Sequence, residues 1–431
     1  MRRISCGVLI LAMLISSAAV YSADAQGQGP STDAQGAPTG REGRGAPAQG
    51  DTPPAPGRGQ GRGGPGGGPG GGRGGPPPAV QLNTIRMPAG FAIDIWAEGV
   101  QGARSMALGA DGTVFVGTFG LLTGQGNVGK VYAVRDTNAD GKADQVLTIA
   151  EGLNQPNGVA FHNGALYVAE MQRIVRYDGI EKSLTKPPMP VVVKDGFTNS
   201  GNHQWRYIAF GRDGKLYIAL GAPCNVCKAD EPYSTIARMN ADGSAFEIYA
   251  RGVRNSVGLA FHPQNGQLWF TDNGRDTMGD NVPADELNHV TQAGQHFGFP
   301  ACFQGDVLDP EFGKGANCAE FRAPAVKLGP HVAALGLRFY TGTMFPEEYR
   351  GELFIAQHGS WNRRNPLGYR IGLVHIHEGQ YASGQRIFAE GFLQGRQAWG
   401  RPADLLVLGD GSMLVSDDLQ GKIYRITYRA P

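Results

Sequence analysis

Residues 200–227 read SGNHQWRYIAFGRDGKLYIALGAPCNVC, with a histidine and an arginine set immediately before a β-hairpin. Asp213-Gly214 is a turn dipeptide, and Lys215–Leu220 (KLYIAL) puts aromatic and branched residues into a short run, which predicts paired strands. The same strand phrase recurs at Thr113–Val116 (TVFV), Ala165–Val168 (ALYV), Gln267–Phe270 (QLWF), Glu352–Ile355 (ELFI) and Ser412–Val415 (SMLV), making six copies. The first four are spaced by roughly 50 residues, an insertion between Arg275 and Pro330 delays the fifth, and about 60 residues precede the last.

Regular repetition at this period points to propeller blades. A second apolar phrase precedes each copy: Met106–Leu108, Gly158–Phe161, Tyr207–Phe210, Gly258–Phe261, Gly336–Phe339 and Asp404–Val407. These are expected to be the innermost strands, with Phe91–Trp96 (FAIDIW) closing the ring on the last blade. The predicted fold is therefore all-β, a six-bladed β-propeller over residues 81–431. A β-sandwich is the competing architecture, but similar hairpins in series favour radial repetition.

In an antiparallel hairpin the start of the inner strand and the end of its partner lie at one edge. Residues just before each inner strand should thus meet at one mouth of the channel: Arg104, Gln155, Asn157, His203, Arg206, Arg254, Asn255, His331 and Arg401. Those just after each second strand should join them: Glu170, Asn273, Gly274 and His358. Such a rim, rich in arginine, amide and histidine and poor in carboxylate, suits a planar polyanion. Any single member, a lone histidine above all, reads equally as a satisfied structural residue.

The chain has 431 residues with 67 Gly and 28 Pro, and the excess lies at the start. Met1-Arg2-Arg3, an apolar run from Gly7 to Val20 and Ala23-Asp24-Ala25 have the three parts of a secretory signal, predicting cleavage after Ala25 (segment 1–25). The apolar run is short for a bilayer span, so no membrane span is expected after cleavage. Residues 26–80, built of Gly, Pro, Ala, Gln and Arg, have almost nothing to bury and predict a disordered linker. Seven arginines and four acidic residues fall in 1–80, leaving 32 basic against 34 acidic residues in the rest. No field for nucleic acid or membrane remains. Export, to a periplasmic or extracellular location, also explains the cysteines. Beyond Cys6, four remain, and the expected local disulfides are Cys224/Cys227 and Cys302/Cys318. Lys228 follows the CNVC run where a c-type haem site has histidine, and a zinc site would lack a second ligand pair.

The phrases Asn154–Phe161 (NQPNGVAF), Asn202–Arg206 (NHQWR), Gly252–Gly258 (GVRNSVG), Thr271–Asp276 (TDNGRD), Asp285–Asn288 (DELN), Pro330–Gly336 and Gln357–Asn362 (QHGSWN) resemble the soluble quinoprotein glucose/sorbosone dehydrogenase family, closest to its sorbosone-dehydrogenase-like branch. The resemblance runs from about Leu82 to the C-terminus. It implies pyrroloquinoline quinone (PQQ) and Ca²⁺ as cofactors, a sugar or aldehyde as substrate, and an external electron acceptor such as a cytochrome or quinone. His203 would be the general base, and Arg254 would stabilise negative charge on the quinone oxygen. Gln155, Arg206, Asn255, Asn273, His358 and Arg401 match cofactor-contacting positions. Gly274 and Arg275 match the turn whose backbone carbonyls hold Ca²⁺, and Asp285 and Glu286 fall where a second, structural Ca²⁺ would sit. The sequence departs from the glucose-oxidising branch at Gly221-Ala222-Pro223, which replaces a carboxylate that orients the base, and at His358 and Ala403, which replace a lysine and an arginine.

Asp136–Asp144 (DTNADGKAD) matches the first half of an EF-hand loop, with Asp136, Asn138 and Asp140 at ligand positions. Leu147 stands where the closing Glu belongs, so a weak calcium loop and a plain hairpin turn are equal readings. The leading function is PQQ- and calcium-dependent sugar or aldehyde oxidation. A calcium-dependent lactonase or esterase propeller and a non-catalytic ligand-binding propeller are the alternatives. The oligomeric state, a homodimer included, stays open.

Overall fold

The structure, a computed structural model, describes residues 77–120, 128–198 and 201–430. The secretory signal and nearly all of the Gly/Pro-rich segment lie outside the described residues. Within them, six four-stranded antiparallel sheets follow one another along the chain. The inner strands are Ala103–Leu108, Gly158–His162, Ile208–Phe210, Gly258–Phe261, Ala334–Phe339 and Pro402–Val407. Each is followed by its antiparallel partner: Val114–Thr118, Ala165–Ala169, Leu216–Leu220, Leu268–Asp272, Leu353–Gln357 and Met413–Asp417. Inner strands of neighbouring blades touch around a closed ring.

The ring is closed as the sequence predicts. Phe91–Glu98 pairs antiparallel with Lys422–Tyr428, with Phe91 opposite Tyr428. The last blade therefore takes its outer strand from the start of the described chain, which ties the two ends of the ring together by backbone hydrogen bonds.

The apolar strand residues point between blades rather than into one central core. Phe115 and Val131 of the first blade pack with Leu166 and Val168 of the second, and Met106 and Val114 pack with Leu406 and Leu414 of the sixth. The largest aromatic cluster, including Tyr340, Phe345, Phe354, Phe388 and Trp399, lies between the fifth and sixth blades. With the apolar surface used up between blades, the hairpin ends are left to carry polar residues to the channel mouth.

The insertion after Arg275 holds the small hairpin Cys302–Phe303/Val307–Leu308. Its Phe299 and Phe303 pack on Ala222 and the CNVC loop. Both disulfides form as expected, Cys224–Cys227 and Cys302–Cys318. No helix among the described residues is long and apolar enough to cross a membrane.

Candidate active site

The hairpin ends converge at one mouth, in a cleft open to solvent on one side. Its wall includes His203, Arg254, Asn255, His331 and Arg401 from before inner strands, Arg104 from the second residue of its inner strand where the sequence placed it just ahead, and Asn273, Gly274 and His358 from after second strands. Gln155, His203 and His331 precede inner strands with φ of 48°, 52° and 56°. Left-handed backbone is uncommon for such residues and costs of order 1 kcal/mol each, so the surrounding structure must impose it.

His203 is buried on the cleft wall, and its Nδ1 donates to the Ala222 carbonyl at 3.1 Å. With the proton on Nδ1, Nε2 keeps its lone pair, and it has no hydrogen-bond partner among the described residues. Burial first, and then the Arg254 charge, hold the imidazole pKa well below 6.5, against the Ala222 hydrogen bond. The ring is thus neutral, fixed in one tautomer and free to accept a proton. The backbone oxygen of Ala222 holds the ring where the resemblance assigned a carboxylate.

Arg254 is buried beside it, its backbone N–H held by the Asp272 carboxylate at 2.8 Å. Its Nε donates to the Asn225 carbonyl (2.8 Å), Nη1 to the Asn273 carbonyl (3.0 Å), and Nη2 to Asn225 Oδ1 (2.7 Å) and Asp276 Oδ2 (3.2 Å). A guanidinium has five N–H groups, so a single one, on Nη1, is left for a ligand. Burial lowers its pKa, opposed by Asp276, Asp272 and Asp285.

Across the cleft, Asp418 gathers Arg104 and His358. Arg104 Nε lies 2.6 Å from Asp418 Oδ2, and His358 Nε2 lies 2.9 Å from both carboxylate oxygens. Burial alone would raise the Asp418 pKa, but Arg104 and His358 overturn this and leave it far below the carboxylate range. Burial lowers His358 to about 4, so at neutral pH it is a neutral donor to Asp418.

A sequence profile described as Glucose / Sorbosone dehydrogenase matches residues 164–360, and one described as TrAA12-like matches 307–429. An uncharacterized protein of Borreliella burgdorferi is 34% identical over 360 residues, covering 80% of this chain and 91% of that protein. The chain belongs to the glucose/sorbosone dehydrogenase family. The aldose sugar dehydrogenase of Escherichia coli is 28% identical over 178 residues, which span 37% of this chain and 46% of that protein. The PQQ domain of pyranose dehydrogenase from Coprinopsis cinerea, solved in its holo form, superposes with a TM-score of 0.66 at 18% identity, covering 82% of this chain and 99% of that one; this likeness concerns the fold.

Several residues that the family resemblance singles out lie elsewhere. Gln155 is buried but is not on the cleft wall. Arg206 is buried behind it, with Nη2 donating to Met171 O and Gln204 Oε1 and the guanidinium over Phe197 and Tyr233. Along this segment His203 and Trp205 reach the cleft while Gln204 and Arg206 turn away. Glu170 accepts from Asn154 N and Arg173 instead of reaching the rim.

The metal candidates divide similarly. Asp285 and Glu286 do not share a pocket, because neighbours on a strand face opposite ways. Asp285 lies on the cleft wall and accepts from Gly274 N at 2.9 Å. Glu286 faces a small separate cavity with Asp272, its partner across the ladder, and burial raises their pKa values to about 8 and about 7. The Arg275 side chain pairs with Asp309. In the Asp136–Asp144 loop, Asp136 accepts from Asp140 N and Gly141 N, and Asp140 from Lys142 N, so the turn satisfies its own carboxylates. Asn138 Nδ2 donates to Asp140. Among the described residues no group of three His, Cys, Asp or Glu side chains is arranged to hold a metal.

The sequence reading missed Asn225, Asp276, Asp418, Trp205 and Trp361. Asp418 directly follows the second strand of the sixth blade, so the rule that found His358 and Asn273 would have found it too. Asn225 has no such signal, since its place depends on how the CNVC loop folds back.

Proposed function

We propose that the chain is an exported PQQ- and calcium-dependent dehydrogenase of sugars or sugar-derived aldehydes that hands electrons to an external acceptor. The observation that carries this is a neutral imidazole with a bare Nε2 on the wall of an arginine-rich cleft. Residues of the cleft fit a planar polyanion: Arg104 and Arg401 would meet its anionic edge, with Asn255 as an amide partner. Trp205 and Asn362 line the same wall, and among the described residues the indole N–H of the first and Oδ1 of the second are buried without a hydrogen-bond partner. Gly274 and Arg275 carbonyls accept no hydrogen bond among the described residues, which suits a hard cation held through backbone oxygens.

Bound PQQ with Ca²⁺ would supply a polarised, hydride-accepting quinone carbonyl. The chain's own work is simpler to derive. His203 Nε2 takes the proton of the substrate hydroxyl, and Ala222 O holds the ring so that the proton arrives at Nε2. Arg254 offers its one unused N–H and its charge to oxygen that becomes negative, from a buried position where both count for more. Trp205 and Phe119 supply apolar wall.

A lactonase would instead need free carboxylates around a central metal. The two carboxylates on the wall are already engaged, Asp276 by Arg254 and Asn362, and Asp285 by Gly274 and Ala334. The test is reconstitution: chelator should abolish dye reduction with aldoses, sorbosone or polyols, and Ca²⁺ plus PQQ should restore it. Full turnover by chelated protein without added quinone refutes the proposal.

A further inference from the structure

We propose that Asn225, held in the loop closed by the Cys224–Cys227 disulfide, is the positioning residue for the Arg254 guanidinium. Its catalytic consequence rests on the role given to Arg254 above; its structural claim does not. Asn225 supplies two of the four acceptors on Arg254, its backbone oxygen at 2.8 Å from Nε and its Oδ1 at 2.7 Å from Nη2. It also fixes a third. Asn225 Oδ1 accepts from Asp276 N at 2.9 Å and Nδ2 donates to Asp276 O at 3.3 Å, which holds the residue whose Oδ2 takes the other Nη2 proton.

An arginine side chain has many rotamers to lose, so holding its fork in one place requires acceptors that are themselves fixed. The loop meets that requirement. A disulfide between residues three apart closes it, and Cys224 and Val226 pack with Phe299, Phe303 and Met278. The same segment begins at Ala222, whose N–H donates to the Arg254 carbonyl at 2.8 Å and whose oxygen orients His203. One stapled loop thus sets the spacing between the proposed base and the proposed anion-stabilising group.

The test is Asn225→Ala, read in two ways. In the reconstituted enzyme, kcat is expected to fall by about 10- to 100-fold with the sugar KM within about threefold, as displacement of a catalytic group by about an ångström costs on that order. In the cofactor-free protein, the His203 ring titration followed by NMR should move up in pH, because the Arg254 charge that depresses it is no longer held near. Cys224→Ser with Cys227→Ser, which leaves Asn225 in place, should move both readouts in the same direction by a smaller amount. The proposal is overturned if Asn225→Ala keeps kcat within about twofold, if it costs as much in an Arg254→Ala background as in the wild type, or if the His203 titration does not move. A wild-type protein inactive on every sugar would refute the proposed function, and the cofactor-free titration would still decide the role of Asn225.

Discussion

Replacing His203 with glutamine removes the proposed base while leaving most of its setting intact. The glutamine amide can still donate to the Ala222 carbonyl, which accepts from Nδ1 at 3.1 Å in the native protein. Side-chain volume is similar, so the buried wall of the cleft stays filled and the change in stability at neutral pH should stay below about 1 kcal/mol. Chemistry should suffer far more. Loss of a positioned general base costs about 10² to 10⁴ in rate, or about 2.7 to 5.4 kcal/mol at 1.36 kcal/mol per decade. The assay is dye-linked turnover at saturating sugar under conditions where the chemical step limits the rate, with PQQ affinity measured separately. Turnover should fall by that factor with PQQ still bound. A second, independent readout follows from the depressed His203 pKa. The folded protein keeps this ring neutral, whereas the unfolded chain protonates it near 6.5, so its contribution to stability is complete above 6.5 and is lost as the pH falls toward the folded value. Glutamine has no such loss, and the variant should gain on the wild type as the pH falls below about 6.5. Turnover above about a tenth of wild type would remove His203 from the mechanism.

Asp418→Asn should lower stability by about 3–5 kcal/mol, because it leaves the Arg104 charge buried without its partner. Denaturant unfolding at pH 7 checks this, and a loss under about 1 kcal/mol would show that Asp418 is not what offsets the burial of Arg104. Deleting Gln26 to Gly75, which has almost nothing to bury, should leave the melting temperature and turnover with a small soluble acceptor nearly unchanged. A drop of several degrees would mean that the segment packs on the propeller.

The fold was legible because it is written in local patterns. Each blade repeats a short apolar phrase, a turn and a second phrase, and burial between blades demands no more of the sequence than that alternation. Closure by Phe91–Glu98 was readable for the same reason, as a strand without a local partner. The two disulfides follow from spacing within local segments. Much of the rim was legible too: His203, Arg254, Asn255, His331, His358 and Arg401 occupy hairpin-end registers, and a hairpin end has only one place to go in a ring.

What the sequence could not decide is which way a side chain turns once it reaches the rim and what it meets there. Arg206 and Glu286 sit one residue from cleft positions and face away; for Glu286, inside a strand, direction reverses at every step and a motif does not mark its starting phase. The Asp136 carboxylates serve the turn's own N–H groups, a choice set by local hydrogen bonding that a calcium-loop pattern does not reveal. The partners that give the site its chemistry lie far along the chain: Ala222 for His203, Asn225 and Asp276 for Arg254, and Asp418 for Arg104 and His358. Sequence determined which residues arrive at the mouth, because arrival depends on position within a repeat. Tertiary structure alone decided their tautomers, charges and free N–H groups, because these depend on distances between residues of different blades and on how far water is excluded around them.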